Sequence, residues 1–277
     1  MHSSPVPIKG TMRYGVIVAL VALVISTGCG SSNSIGGPPN QPSGQPVSGS
    51  APIVGSSTPS VLLYNGTGTS STDVAAVEAV LASLKLNYRT VDTSHIEGMS
   101  ESNLAAYRLL IVPGGNSITI GNNLSRSATT NIHNAVVNDG LHYLGICAGA
   151  FFGGYSIYNG LDLTDGVWFN FYADYNKGIN KEAVELSFPR SSSMDMYWQD
   201  GPELDGWGDV VSKYPDGTSS MVEGASGRGW VILSGVHAEA PASWRLGMHF
   251  TTPLNADLAY AGTLITAALN GTSLPHY

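Results

Sequence analysis

Cysteine is nearly absent: Cys29 and Cys147 are the only two in 277 residues, which excludes a disulfide framework. Basic residues are also scarce, twelve Lys and Arg against twenty Asp and Glu. They form no cluster that could follow a phosphate backbone, so nucleic acid is not expected as a partner. No His/Cys/Asp group shows metal-ligand spacing apart from the pair at His237, so no metal or other cofactor is expected. The longest apolar run, Tyr14 to Ile25, is short of the roughly 20 residues that span a bilayer. What the chain has in quantity is aliphatic and aromatic residues in short runs from Val61 onward, enough for one sizeable core. There is no internal repeat.

Lys9 and Arg13 precede that apolar run, and together they read as an export signal. The run ends in Ile25-Ser26-Thr27-Gly28-Cys29, and small residues before a cysteine resemble the bacterial lipobox. The resemblance implies that Cys29 is lipidated, becomes the mature N-terminus and tethers the protein to the membrane outside the cytoplasm. Gly30 in place of Asp leans towards the outer membrane, or its periplasmic face, where two membranes exist. The alternative is an ordinary signal peptide followed by an incidental cysteine. Loss of residues 1–28 removes two bases and no acid, taking the net charge from -8 to -10. Residues 29–60 are rich in Ser, Gly, Pro, Asn and Gln, a composition that cannot offset its own ordering entropy, so a flexible tether is expected. The folded domain is then 61–277.

Within it, strands and helices alternate. Val61 to Tyr64, Tyr88 to Val91, Leu109 to Val112 and Tyr143 to Ile146 read as strands. Thr72 or Asp73 is expected to cap a helix over Val74 to Leu86; further helices are expected over Glu101 to Tyr107 and over Thr129 to Asn138, the latter capped by Gly140. A helix should start at Ala148. Apolar strands without alternation imply a mainly parallel sheet covered on both faces, an α/β three-layer sandwich. From Gly160 to Glu223 the pattern loosens, with shorter segments at Ala183 to Phe188 and Asp209 to Tyr214. Trp230 to Ser234 restores a strong strand, and Asn255 to Leu269 reads as the closing helix.

Cys147 stands between a buried strand and a helix, hence on a sharp turn at the carboxyl edge of the sheet, where open α/β folds build their sites. Gly145 and Gly149 would let the backbone turn tightly there. The bland alternative is a small buried hydrophobe, the commonest fate of a free cysteine. A thiolate nucleophile needs a base, and the base an orienting partner. His237 and Glu239 follow directly on the Trp230 to Ser234 strand, so they reach the same edge if the strands are parallel. His95, His133, His142 and His249 lack such a partner and read as ordinary surface or core residues.

Together, Val112-Pro113-Gly114-Gly115, Tyr143-Leu144-Gly145-Ile146-Cys147-Ala148-Gly149-Ala150 and Ser234-Gly235-Val236-His237-Ala238-Glu239 resemble the class I glutamine amidotransferase-like superfamily. With Tyr64-Asn65-Gly66, Gly68-Thr69-Ser70 and Tyr197-Trp198-Gln199-Asp200-Gly201-Pro202 the chain is similar to the N-terminal domain of biotin-protein ligases, from Val61 to about Leu269. The resemblance implies a flavodoxin-like sandwich, with Cys147 as nucleophile, His237 as base and Glu239 as its orienter. It implies an oxyanion hole from backbone N–H groups at Gly114 or Gly115 and Ala148, and Asn65 and Asn116 lining the pocket. Tyr197, Trp198 and Gln199, expected in irregular structure, either shape the substrate side or only pack. Nothing matches the ligase catalytic domain, because Gly227-Arg228-Gly229 is one short turn. Three functions remain open: a hydrolase of an amide or acyl substrate, small molecule or peptide; a binding or scaffold lipoprotein that keeps the fold without turnover; and a redox-sensing cysteine.

Overall fold

The computed structural model describes residues 60–277. The export signal, Cys29 and nearly all of the tether lie outside the described residues. Among the described residues, nine strands and seven helices follow in the order β1 (Val61–Tyr64), α1 (Ser71–Ser83), β2 (Tyr88–Val91), α2 (Thr93–Glu97), α3 (Glu101–Leu104), β3 (Leu109–Val112), α4 (Ser117–Asn122), α5 (Arg126–Val137), β4 (His142–Ile146) and α6 (Ala148–Gly153). After a 3-10 turn at Ala173–Lys177 come β5 (Lys181–Leu186), β6 (Met194–Gln199), β7 (Asp209–Lys213), β8 (Ser219–Ser226), β9 (Gly229–Ser234) and α7 (Leu254–Asn270).

One sheet runs β2-β1-β3-β4-β9-β8-β7. Its first five strands are parallel, and β8 and β7 close it as antiparallel partners of β9. The parallel part repeats the flavodoxin-like strand order, so the fold is a doubly wound α/β sandwich. The register explains why its strands read as unbroken apolar runs. Leu109 and Ile111 of β3 join Val77, Leu81 and Leu264 of α1 and α7 on one face. Leu110 and Val112 join Ile132 and Val136 of α5 on the other. Both faces are buried, so no polar residue is tolerated at alternate positions.

Several element boundaries differ from expectation. The cap of α1 is Ser70, whose Oγ accepts from the Asp73 N–H, rather than Thr72 or Asp73. Asp73 therefore sits inside the first turn with its carboxylate free to face elsewhere. The fifth helix begins a turn early because Ser125 caps it, and it ends at Val137 with Asn138 rather than Gly140 as its C-cap, Gly140 occupying the following turn at φ +83°. The third helix stops at Leu104, since Tyr107 folds back in a turn onto the Leu104 carbonyl. Helices α2 and α4 were not expected; each is short, and Asp92 and Asn116 cap them through side-chain oxygens. The first strand of the irregular stretch starts and ends two residues early, because Ser187 turns out to pair with Lys213. Tyr197, Trp198 and Gln199, expected in irregular structure, lie on β6, which pairs with β5 in a separate antiparallel ribbon. Strand β8 was hidden by its Ser, Gly and Glu content; Glu223, fully buried there, accepts from Ser273 and the Leu274 N–H. Among the described residues no helix is long and apolar enough to cross a membrane.

Candidate functional site

The carboxyl ends of the central strands converge on Cys147. Strand β4 ends at Ile146 and α6 starts at Ala148, leaving Cys147 alone to make the turn at φ +50°, ψ -105°. A non-glycine residue in this conformation costs on the order of 1–3 kcal/mol and persists only where the surroundings enforce it. Here its N–H donates to the Ser234 carbonyl at 2.7 Å, and its own carbonyl accepts from Ala150 and Phe151 at 2.9 and 3.1 Å. Glycine at 149 is obligatory for this approach: a Cβ there would stand 1.9 Å from the Val112 carbonyl oxygen. The thiol donates to the Gln199 carbonyl at 3.5 Å.

Strand β9 lies beside β4 in parallel, so the residues after it arrive at the same edge. The His237 N–H bonds the Tyr197 carbonyl at 2.8 Å, and its ring packs edge-on against Trp244 and Tyr197. Nδ1 lies 2.8 Å from Oε1 of Glu239 and 3.4 Å from Oδ1 of Asp73, all three side chains being buried. Burial by itself would depress the imidazole pKa. Glu239 and the neighbouring Cys147 overcome this and hold it well above the usual histidine value. A Cβ on Gly114 would fall 2.0 Å from the Asp73 carboxylate and 2.8 Å from His237 Cε1, so the second glycine-bearing turn also exists to admit these groups.

A cavity of about 410 Å³ opens over this cluster, lined by Cys147, Ala148, Gly115, Asn116, Tyr197, Gln199 and His237 among others. Gly115 and Ala148 present backbone N–H groups there with no acceptor among the described residues, as an oxyanion site requires. Gly114 lies behind them against His237. Asn116 lines the cavity while its side chain caps α4. Tyr197 donates its hydroxyl to the Gln199 side chain. Trp198 is wholly buried in the core. Asn65 is outside this cavity; it is exposed at the end of β1, and its N–H donates to the Val91 carbonyl. Of the other histidines, His95 and His249 are exposed, while His133 and His142 bond backbone carbonyls.

Sequence reading missed the second carboxylate, Asp73, because nothing in a helix-cap pattern says where the side chain turns once another residue caps. It also missed Asp200, at φ +47°, whose Oδ1 is buried without a partner and whose pKa is raised by burial, and the aromatic wall of Phe151, Phe171, Tyr175 and Trp244. Asp73, His237 and Glu239 offer one ligand atom each within 4.8 Å of one another. The 2.8 Å between Nδ1 and Oε1 is a hydrogen-bond length, shorter than the roughly 3.3 Å separating two ligands of tetrahedral zinc at bond lengths near 2.0 Å, so this donor set fits a proton better than a metal.

A cysteine elbow after the fourth strand of a flavodoxin-like sheet, facing a His–Glu pair after the fifth, places this protein in the glutamine amidotransferase-like fold class. More narrowly, residues 59–165, less than half of the chain, are similar to the family described as biotin-protein ligase, N terminal. A glutamine amidotransferase from Methylobacillus flagellatus superposes with a TM-score of 0.51 at 10% identity, covering 79% of this chain and 97% of its own. A protein from Thermoplasma acidophilum, described as one of the subunits of a GMP synthase, gives 0.49 at 13% identity, covering 77% and 97%. At 10% identity the first of these likenesses speaks for the fold alone. Comparison with curated protein sequences gave no match.

Proposed function

We propose that this protein is a cysteine hydrolase acting on a carboxamide or related acyl group, exported and held at the cell envelope by lipid on Cys29. The observation that carries the proposal is the meeting of Cys147, on its strained turn, with His237 in one open cavity, Glu239 standing buried behind the imidazole. His237 Nδ1 donates to Glu239, which fixes the ring and leaves Nε2 to serve the sulfur. Nε2 of His237 takes the Cys147 thiol proton, the sulfur attacks the carbonyl carbon, and negative charge on the oxygen is met by the N–H groups of Gly115 and Ala148. The C–N bond breaks as the imidazolium gives its proton to the leaving amine, leaving a thioester. Water, deprotonated by His237, then releases the acid and restores the thiol.

Iodoacetamide alkylation of the purified protein, followed by mass, tests the chemistry. Cys147 is expected to react faster than a simple thiol at neutral pH, with a clear loss of rate in His237→Ala and none of the label in Cys147→Ala. Reaction no faster than glutathione and indifferent to His237 would defeat the proposal. For the anchor, Cys29→Ala is expected to move the protein from the membrane fraction to the soluble fraction and to abolish incorporation of labelled fatty acid.

A further inference from the structure

A second cavity of about 280 Å³ adjoins the first. The two share Ser117, Ile118, Phe151 and Phe171 in their linings, so they adjoin along these side chains. Phe151 belongs to the turn that holds the nucleophile, because its N–H bonds the Cys147 carbonyl. Phe171 packs on it at 4.9 Å and stacks on Tyr175 at 4.2 Å between ring centroids. Beyond this pair the second cavity is walled by Tyr155, Tyr158 and Trp168, which remain 43%, 37% and 46% exposed. Rings of this size left facing solvent together, next to a reactive site, form a contiguous apolar patch of the kind that marks a binding surface.

Charge points the same way. Neither cavity has a Lys or Arg in its lining among the described residues; the first holds the acids Asp73 and Asp200 beside the catalytic pair Cys147 and His237, and the second has no acid and no histidine. A free amino acid such as glutamine brings an α-carboxylate, which would find two acids here and no Lys or Arg, the one imidazole being His237 at the reacting centre. A neutral chain ending in an aromatic or bulky apolar group would meet only what suits it.

Resting on the hydrolase reading above, we infer that the second cavity is a subsite for an aromatic or apolar group carried by the substrate, and that the substrate class is an extended amide of that kind, such as a peptide amide, not free glutamine. The reacting carbonyl sits at Cys147, and the attached chain passes Phe151 and Phe171 to stack on Trp168 and Tyr158.

The test uses iodoacetamide and a series of N-(ω-phenylalkyl) iodoacetamides with spacers of two to six methylenes. The alkylation rate of Cys147 with each reagent is divided by the rate with glutathione. At least one spacer length is expected to give saturating kinetics and a corrected rate about tenfold or more above that of iodoacetamide, the scale set by burying one phenyl ring. That ratio should fall towards one in Trp168→Ala and in Tyr158→Ala, and be largely kept in Trp168→Phe. Circular dichroism identifies any variant that fails to fold, and the other then decides. A corrected ratio near one for every spacer would overturn the subsite, as would a preference untouched by both alanine variants, even with Cys147 reactive. Loss of reactivity towards iodoacetamide itself, or its indifference to His237→Ala, would instead remove the underlying hydrolase reading.

Discussion

Replacing Gly149 by alanine isolates the geometry of the turn at Cys147 from its chemistry. The new Cβ would sit 1.9 Å from the Val112 carbonyl oxygen and 2.7 Å from its carbonyl carbon. Ordinary contact begins near 3.4 Å, so something must move by over 1 Å. Strand β3 cannot give, because it is paired on both sides within the sheet. The first turn of α6 must lift instead, straining the bond from Tyr143 Oη to the Gly149 carbonyl at 2.7 Å. Overpacking of this kind costs about 1–3 kcal/mol. For a domain of this size that corresponds to a fall in melting temperature of roughly 2–12 °C. Because Cys147 is the residue joining β4 to α6, the lift also displaces its sulfur. A misplacement near 1 Å costs on the order of 10²-fold in reactivity. Thermal denaturation by circular dichroism and the iodoacetamide rate at Cys147 measure the two effects on one sample. A variant with wild-type melting and wild-type alkylation would show that the elbow is soft and that glycine there is incidental.

Glu239→Gln removes the anion nearest to His237 Nδ1; the imidazole pKa, read from its NMR titration, is expected to fall, and the alkylation rate at Cys147 to fall about 10²-fold or more. Glu182 has its pKa raised to about 7 by burial and by the neighbouring Asp174. The folded state thus holds its proton more tightly than the unfolded chain, whose value is near 4.5, so stability should decline as pH rises between about 4.5 and about 7. Glu182→Gln should flatten that decline when melting temperatures at pH 5 and pH 8 are compared. Arg245, paired with the buried Asp257 at 3.2 Å, holds the segment that carries Trp244 over the site. Arg245→Met should destabilise the fold, more at pH 8 than at pH 5 because burial already raises the Asp257 pKa to about 7, as urea unfolding at the two pH values would show, and adding Asp257→Asn should restore part of the loss.

The parallel half of the fold was legible because its strands are buried on both faces and announce themselves as Val61 to Tyr64, Leu109 to Val112 and the run up to Ile146. Their order fixed which ends meet. The second half was obscure for a physical reason: its buried strand positions include polar residues whose partners come from distant parts of the chain, as Ser273 and Leu274 do for Glu223, so Ser219, Glu223 and Gly224 interrupt any periodic signal. That Cys147, His237 and Glu239 gather at one sheet edge could be read in advance because they follow two strong strands that lie parallel and adjacent. Asp73 and the aromatic wall could not, since they approach from a helix turn and from long loops whose course is set only by tertiary packing.

The family match ends at residue 165, whereas His237 and Glu239 arrive with β9, well beyond it in the chain and directly alongside β4. During synthesis the thiol is therefore made long before its base. A nascent or clipped chain bearing only the first part lacks the groups that would activate Cys147. Reactivity at this sulfur then reports on completion of the sheet.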